Sequence, residues 1–399
     1  VGIGLAAPQN YPHNYTMLTE FFAGSLPFFL AVLSFIAVIV PLIVVHEFGH
    51  YWVAKKCGVH VETFSIGFGK PLFSFKDKSG TEWRIAPYML GGYVRLFGDS
   101  DPTSAMANPA LRDMPPEQKA KAFFSKSVGQ RAAIVAAGPG INFAFALLLL
   151  YVLFIAIGQP FSPAKVTDLV PGLPAEKAGI LVGDEITAMN GQSIASMEDL
   201  RKFMLLNLDN PVDVALIRNG QPATIHVVPR VEIEGEEGMT KTSVGKLGII
   251  AGERQYKQHG PVSAVGAAFK TTYDIASGNL IGIWQIITGE RSRQELSSVI
   301  TIAKISQKAV SDSLAGTVAF VATLSIVLGV INLFPIPALD GGHLMFYAIE
   351  AIRRRPLSEA AQEYSLRIGF GLILTLMAFA LWNDLVNNGW FDKLTQLLT

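Results

Sequence analysis

Residues 46–50 read His46-Glu47-Phe48-Gly49-His50, and they close the apolar run 27–45, PFFLAVLSFIAVIVPLIVV. About 20 apolar residues are enough to cross the hydrocarbon core of a bilayer. Ionisable side chains at such a depth are costly and mark function by default. On an α-helix, residues i and i+4 share a face, so His46 and His50 direct two imidazoles to one metal ion. Glu47 sets a carboxylate beside that ion. This is the HExxH arrangement of zinc proteases: zinc brings the pKa of its water down to about 7, and the carboxylate takes the proton. On a soluble helix the two histidines would merely be solvated; the apolar run before them removes that reading here.

A catalytic zinc takes three protein ligands and keeps one position open. The third ligand is sought in residues 332–343, NLFPIPALDGGH, which follow a second apolar run at about 315–331. Prolines and glycines break the helix there, and irregular backbone at membrane depth is tolerated only inside protein or along a wet cavity. Asp340 is the one carboxylate of this stretch and the favoured ligand. His343 is its rival; its other role is to pack or to hydrogen-bond a ligand from outside. One Zn2+ ion is expected.

The chain is 50% hydrophobic and 16% charged, against about 25% charged in soluble domains, and its mean hydropathy is +0.37. These values describe a multi-span membrane protein with a soluble insert. A net charge of zero argues against bulk binding to nucleic acid. A single cysteine, Cys57, excludes an internal disulfide and reads as structural. Residues 1–16 show neither a basic n-region nor an apolar h-region; they read as a tail or a non-native remnant, with Met17 as a start.

Four segments are long enough to span: about 26–46, 131–157, 315–337 and 366–386. The loop after the first is rich in Lys and Arg (Lys55, Lys56, Lys70, Lys76, Lys78 and Arg84 among them), and the loop after the third carries Arg353, Arg354 and Arg355. Cytoplasmic loops carry such an excess, so both loops are cytoplasmic and residues 158–312 lie outside. His46, His50 and Asp340 then fall towards the cytoplasmic ends of their spans. Within 262–287, Lys270, Asp274 and Asn279 interrupt an apolar stretch; this reads as a pair of amphipathic segments lying on the outer surface.

The insert opens VTDLVPGLPAEKAGILVGDEITAMNGQSI at residue 166. Pro174 and Ala175 open a short helix and Gly179 closes it. A strand follows at 185–189, a tight turn at Asn190-Gly191, a helix at 197–207, and strands at 212–218 and 223–228 joined at Asn219-Gly220. The acidic stretch 232–237 reads as an exposed loop. The order is similar to that of the bacterial PDZ domain, which holds an extended peptide on a sheet edge and captures its terminal carboxylate with backbone amides. The carboxylate loop is missing ahead of the first strand. Leu247, Gly248 and Ile249 supply such a loop at the far end, which implies a circularly permuted PDZ domain; an ordinary strand is the other reading.

Between the motif and the second span, residues 59–97 are punctuated by Gly67-Phe68-Gly69 and Gly91-Gly92, with a turn at 76–80. They read as a pair of β-hairpins dipping towards the metal. A helical substrate must be unwound before its peptide bonds are accessible, and an edge strand holds it extended by β-addition; a β-meander that only packs is the alternative. Residues 115–126 read as an amphipathic helix on the inner surface.

HEFGH on the first span, the β-rich loop, the AAGPGINF second span, the PDZ-like insert and NLFPIPALDGGH together resemble the site-2 protease family in its bacterial RseP-type branch, over about residues 17–384. The resemblance implies an intramembrane zinc metalloendopeptidase of the bacterial inner membrane. His46, His50 and Asp340 would bind zinc and Glu47 would act as base. Asn332 would help hold the substrate, and Gly67, Phe68 and Gly69 would present it as a strand. Substrates would be single-span membrane proteins already trimmed by another protease, such as anti-sigma factors or leftover signal peptides, with a periplasmic PDZ domain filtering by size and receiving peptide C-termini. Two departures are evident: one PDZ domain where many relatives carry two, and Ser297-Ser298-Val299-Ile300 where relatives often carry Gly-Pro.

The expected fold is a polytopic α-helical membrane protein with four transmembrane helices, a membrane-associated β-hairpin loop and an extracytoplasmic, circularly permuted PDZ domain. The first transmembrane helix occupies 17–50 and the β-loop with its amphipathic helix 51–130. The second transmembrane helix follows at 131–157, the PDZ domain at 158–255 and the juxtamembrane segments at 256–312. Residues 313–345 form the third transmembrane helix. Residues 346–399 form a cytoplasmic loop, the fourth transmembrane helix and a tail. The alternatives are a non-catalytic PDZ scaffold with a structural zinc held by four protein ligands, and a metal transporter, for which the expected repeats are missing.

Overall fold

The computed structural model describes residues 13–99, 108–234, 242–253, 255–291 and 298–387. Helix α1, His13–Lys56, runs through the apolar stretch and on past His50. Residues 13–16, expected in a tail, already belong to it, and 1–12 lie outside the described residues. Four strands follow: β1 Val61–Phe68, β2 Phe73–Lys76, β3 Glu82–Ile85 and β4 Tyr88–Leu96. They form one sheet in the order β2-β3-β1-β4. The β2–β3 hairpin is as expected, but β1 pairs with β3 in parallel and with β4 in antiparallel fashion, so this is one four-stranded sheet rather than two hairpins. Phe64, Trp83 and Tyr51 tie it to α1, with Phe64 stacked on Trp83 at 4.5 Å and Tyr51 at 5.3 Å from Trp83.

The amphipathic helix expected over 115–126 is a correction. Only one turn, α2 Pro116–Lys119, and a 3-10 turn at Phe123–Ser125 are present. Tertiary packing overrides local periodicity there. Ala122 and Phe123 are fully buried, and backbone bonds from His60 N to Lys121 O and from Phe123 N to Phe97 O fasten the segment beside the sheet.

Helix α3, Val128–Ala156, opens on a capping box between Ser127 and Gln130 and passes through Pro139 without breaking. A proline is tolerated in such a helix because neighbouring groups satisfy the freed backbone. The insert comes next, with β5 Gln159–Phe161, β6 Val166–Leu169, α4 Pro174–Lys177, β7 Glu185–Met189, β8 Gln192–Ser193 and α5 Met197–Leu206. It continues with β9 Val212–Arg218, β10 Gln221–Val227, β11 Arg230–Glu234, β12 Thr242–Lys246, β13 Ile249–Ala251 and β14 Gln255–Lys257. One sheet runs β10-β9-β7-β8, while β13 pairs with β6 and β14 closes the insert on β5. Asn190-Gly191 and Asn219-Gly220 have positive φ (48° and 78°, 50° and 78°), which suits two-residue turns between twisted strands. Residues 232–234, expected in a loop, lie in β11; 235–237 fall outside the described residues.

Residues 262–287 are a second correction. They form one continuous helix, α6 Pro261–Thr288, not a pair of segments. Its Ala264 and Ala268 are buried with Leu150, Phe154 and Ala322. Lys270 and Asp274, read as interruptions, pair with one another at 2.9 Å, and Asp274 takes Lys202 of α5 at 2.7 Å. Helix α7, Val299–Asp312, covers the N-terminal half of α1 through Ala303 against Ala31 and Phe35. Then come α8 Leu314–Asn332, α9 Asp340–Arg353 and α10 Glu359–Asn387. Residues 346–353, expected in a loop, are thus helical.

Four of these helices are long and apolar enough to cross a membrane: Phe28–Lys56, Val128–Ala156, Leu314–Asn332 and Glu359–Val386. The first three form the bundle, and small residues let their backbones approach. A Cβ on Gly49 would lie 2.3 Å from Ala137 O, and one on Gly329 would lie 2.9 Å from the Phe143 ring. Ser325 of α8 donates to the Asn142 carbonyl of α3 at 2.8 Å. Helix α10 is held at two places. Gly369 abuts the Pro337 backbone, and buried Asp384 accepts hydrogen bonds from Ser298 and Thr301 at the start of α7.

Candidate metal centre

His46 and His50 stand one turn apart on α1, their Nε2 atoms 3.2 Å from each other. Asp340 is the first residue of α9, delivered by the irregular turn 333–339, in which Ala338 has φ 83°. That turn folds tightly over the start of the helix. A Cβ at Gly341 would lie 2.2 Å from Phe334 O, and one at Gly342 would lie 2.4 Å from Ile336 O. Only glycine fits either place. Asp340 Oδ2 thereby comes within 3.2 Å of His46 Nε2 and 3.6 Å of His50 Nε2.

The three donor atoms lie within 4.8 Å of one another. Two imidazole nitrogens and one carboxylate oxygen are the donor types zinc takes, and three such ligands leave a fourth position open. Buried Asp340 Oδ2 has no hydrogen-bond partner among the described residues, which a cation would remedy. The residues present therefore fit a zinc ion.

The outer hydrogen bonds agree with that fit. His50 Nδ1 reaches the Ile134 carbonyl at 2.9 Å. A carbonyl only accepts, so Nδ1 carries the proton and Nε2 keeps its lone pair for the metal. His46 Nδ1 meets the side-chain amide of fully buried Asn142 at 3.1 Å. As placed, the amide nitrogen faces the ring and Asn142 Oδ1 has no partner among the described residues; turned over, the amide would accept Nδ1–H through Oδ1 and fix the same tautomer. Both partners lie on α3, and Gly138 lies between them in sequence. Glu47 is half-buried and is overlain by β4, where a Cβ on Gly92 would come 3.0 Å from Glu47 Cγ.

His343 is not among the converging groups; it lies within α9 with its ring edge-on to Phe346 at 6.3 Å. Asn332 ends α8 and is half-buried. Gly67 and Phe68 end β1, and the Phe68 ring lies over Gly91 of β4. The strand that touches Glu47 is thus β4, rather than the segment Gly67, Phe68 and Gly69. Leu247, Gly248 and Ile249 lie in the insert at the turn from β12 into β13, where Gly248 has φ 86°. Sequence reasoning missed Gly138, Asn142 and Gly92. An asparagine inside an apolar span and paired glycines inside a strand are the signals that pointed to two of them.

A model of peptidase family M50 matches residues 34–376. A Rhizobium meliloti protein provisionally named a zinc metalloprotease is 37% identical over 356 residues, covering 88% of this chain and 95% of its own. Metalloprotease MmpA of Caulobacter vibrioides is 35% identical over 395 residues, covering 93% and 99%. The regulator of sigma-E protease RseP of Escherichia coli is 32% identical over 464 residues, covering 90% and 99%. With four helices of membrane-spanning length among the described residues and a zinc-compatible donor set, the chain belongs to peptidase family M50, the site-2 proteases, as a membrane-bound zinc metalloprotease.

Proposed function

We propose that this protein cuts peptide bonds within the transmembrane segments of single-span membrane proteins. The observation that carries the reading is the meeting of His46 and His50, on a helix long and apolar enough to cross a bilayer, with Asp340, which follows the end of another such helix. These three are the zinc ligands. Bound zinc supplies the Lewis acidity that makes water a nucleophile near neutral pH. Glu47 takes the proton from the attacking water and passes it to the leaving nitrogen. Ile134 O and Asn142 hold the two imidazoles in the tautomer and orientation that zinc requires.

The substrate lies extended along β4, an edge strand of its sheet, adding to it as a further strand. Gly67, Phe68 and Gly69 shape that edge through Gly91, and Asn332 holds the substrate from the opposite side. The insert acts as a circularly permuted PDZ domain that admits trimmed substrates and receives peptide C-termini at Leu247, Gly248 and Ile249. The antiparallel pairing of β13 with β6 and the left-handed turn at Gly248 support this. The basic loops support an inner-membrane protein with its active site near the cytoplasm and its insert in the periplasm. The name of the E. coli relative, a regulator of sigma-E protease, supports envelope-stress signalling with anti-sigma-type substrates; leftover signal peptides share the same chemistry. A scaffold with a closed structural zinc is not favoured, since three described ligands converge and no fourth.

The test is cleavage of a short single-span substrate by the reconstituted protein, with and without a chelator. Glu47→Gln is expected to keep zinc and lose cleavage. Cleavage at the wild-type rate by that variant would overturn the reading.

A further inference from the structure

Helices α3 and α9 meet along one seam, and the metal centre occupies only one end of it. On α3, the residues that touch the histidines are Ile134, Gly138 and Asn142; Arg131 lies one turn earlier on the same face. On α9, Asp340, Tyr347 and Glu350 likewise share a face, at i, i+7 and i+10. At the far end of the seam Arg131 Nη2 meets Glu350 Oε1 at 2.6 Å, with the two side chains only 11% and 15% exposed. The guanidinium also sits over the Tyr347 ring, 4.9 Å from its centroid.

We propose that Arg131 is a positioning residue for the zinc centre: by clamping Glu350 and Tyr347 it fixes α9 against α3 and so sets the reach of Asp340 to the two histidines. The inference rests on the assignment of those three residues as zinc ligands. Gly341 and Gly342 seat the first turn of α9 against its own preceding loop, and Leu344 and Tyr347 pack beyond it against the cluster of α1, the sheet and α3. A second anchor further along is what fixes the tilt of the helix, and Glu350 lies about 15 Å down the axis. Zinc bonds tolerate only about 0.2 Å of error, so a small tilt is felt at the metal. Removing one member of a nearly buried ion pair leaves a charge without its partner, which drives such a shift.

The experiment measures zinc affinity of the full-length protein in detergent by competition with a chromophoric chelator, together with the visible spectrum of the cobalt-substituted form. Arg131→Met and Glu350→Gln are each expected to weaken zinc about tenfold, in the range of changes to groups that orient ligands, and to alter the cobalt bands. The exchange Arg131→Glu with Glu350→Arg is expected to restore affinity to within a few-fold of wild type. If Arg131→Met does not fold, the milder Glu350→Gln decides. Single variants that fold and bind zinc as wild type does overturn the clamp, as does an exchange variant no better than the singles. Failure of the wild type itself to bind zinc would instead sink the ligand assignment.

Discussion

A Cβ on Gly138 would lie 2.2 Å from Nε2 of His50 and 2.8 Å from Cε1 of His46. Helix α3 therefore approaches both rings with bare backbone. Gly138→Ala is expected to push the imidazoles out of place. Overpacking of this kind costs about 1–3 kcal/mol, equivalent to roughly a five- to 150-fold loss of zinc affinity. Chelator competition reads it directly, and an unchanged affinity would mean that the rings have room to retreat.

Asn142 and His46 make a second testable pair. Asn142→Leu removes the hydrogen bond to Nδ1 and is expected to weaken zinc by about 10–100-fold, the usual range for such partners. Asn142→Asp keeps an acceptor there and should retain most of the affinity. Equal losses in both variants would show that the amide matters through packing alone.

Gly92 separates chemistry from metal binding. A side chain there would meet Ser65 O at 2.8 Å and Glu47 Cγ at 3.0 Å. Gly92→Val is expected to displace β4 from α1 and to lower the cleavage rate at least about tenfold, since small misplacements of reacting groups are costly. Zinc content, measured by atomic absorption, should stay at wild-type level.

The β2–β3 turn has its own pH dependence. Burial opposes ionisation of Asp77, but bonds from the Ser79 hydroxyl, the Trp83 indole and the Ser79 and Thr81 amides win and hold its pKa down to about 2. The folded value lies below the ordinary aspartate value of 3.8, so the stabilisation is fully present above that value and is lost as pH falls towards about 2. Amide exchange in 77–83 should accelerate over that window, and Asp77→Asn should remove the dependence.

Local signals made part of this architecture legible. The apolar run gave α1, and Asn190-Gly191 and Asn219-Gly220 gave two turns, because each element is decided by its own few residues. Helix α6 was obscured by a hydropathy argument. Lys270 and Asp274 lower the average, yet they lie one turn apart, pair with each other and leave the helix intact. The segment 115–126 was misread for the opposite reason, since its fate is set by a sheet from elsewhere in the chain. The parallel pairing of β1 with β3 and the rotation that turns Gly138 and Asn142 towards α1 are likewise non-local. HExxH and Asp340 could be proposed from residue type and spacing; the groups that steer the imidazoles depend on how two helices cross.

The donor set is split between α1 and the first residue of α9. Ribosomes add about 5–20 residues per second, so the two histidines wait on the order of tens of seconds in the nascent chain before the aspartate exists. Synthesis itself therefore sets the earliest moment at which this donor set can close: not before residue 340 has been added.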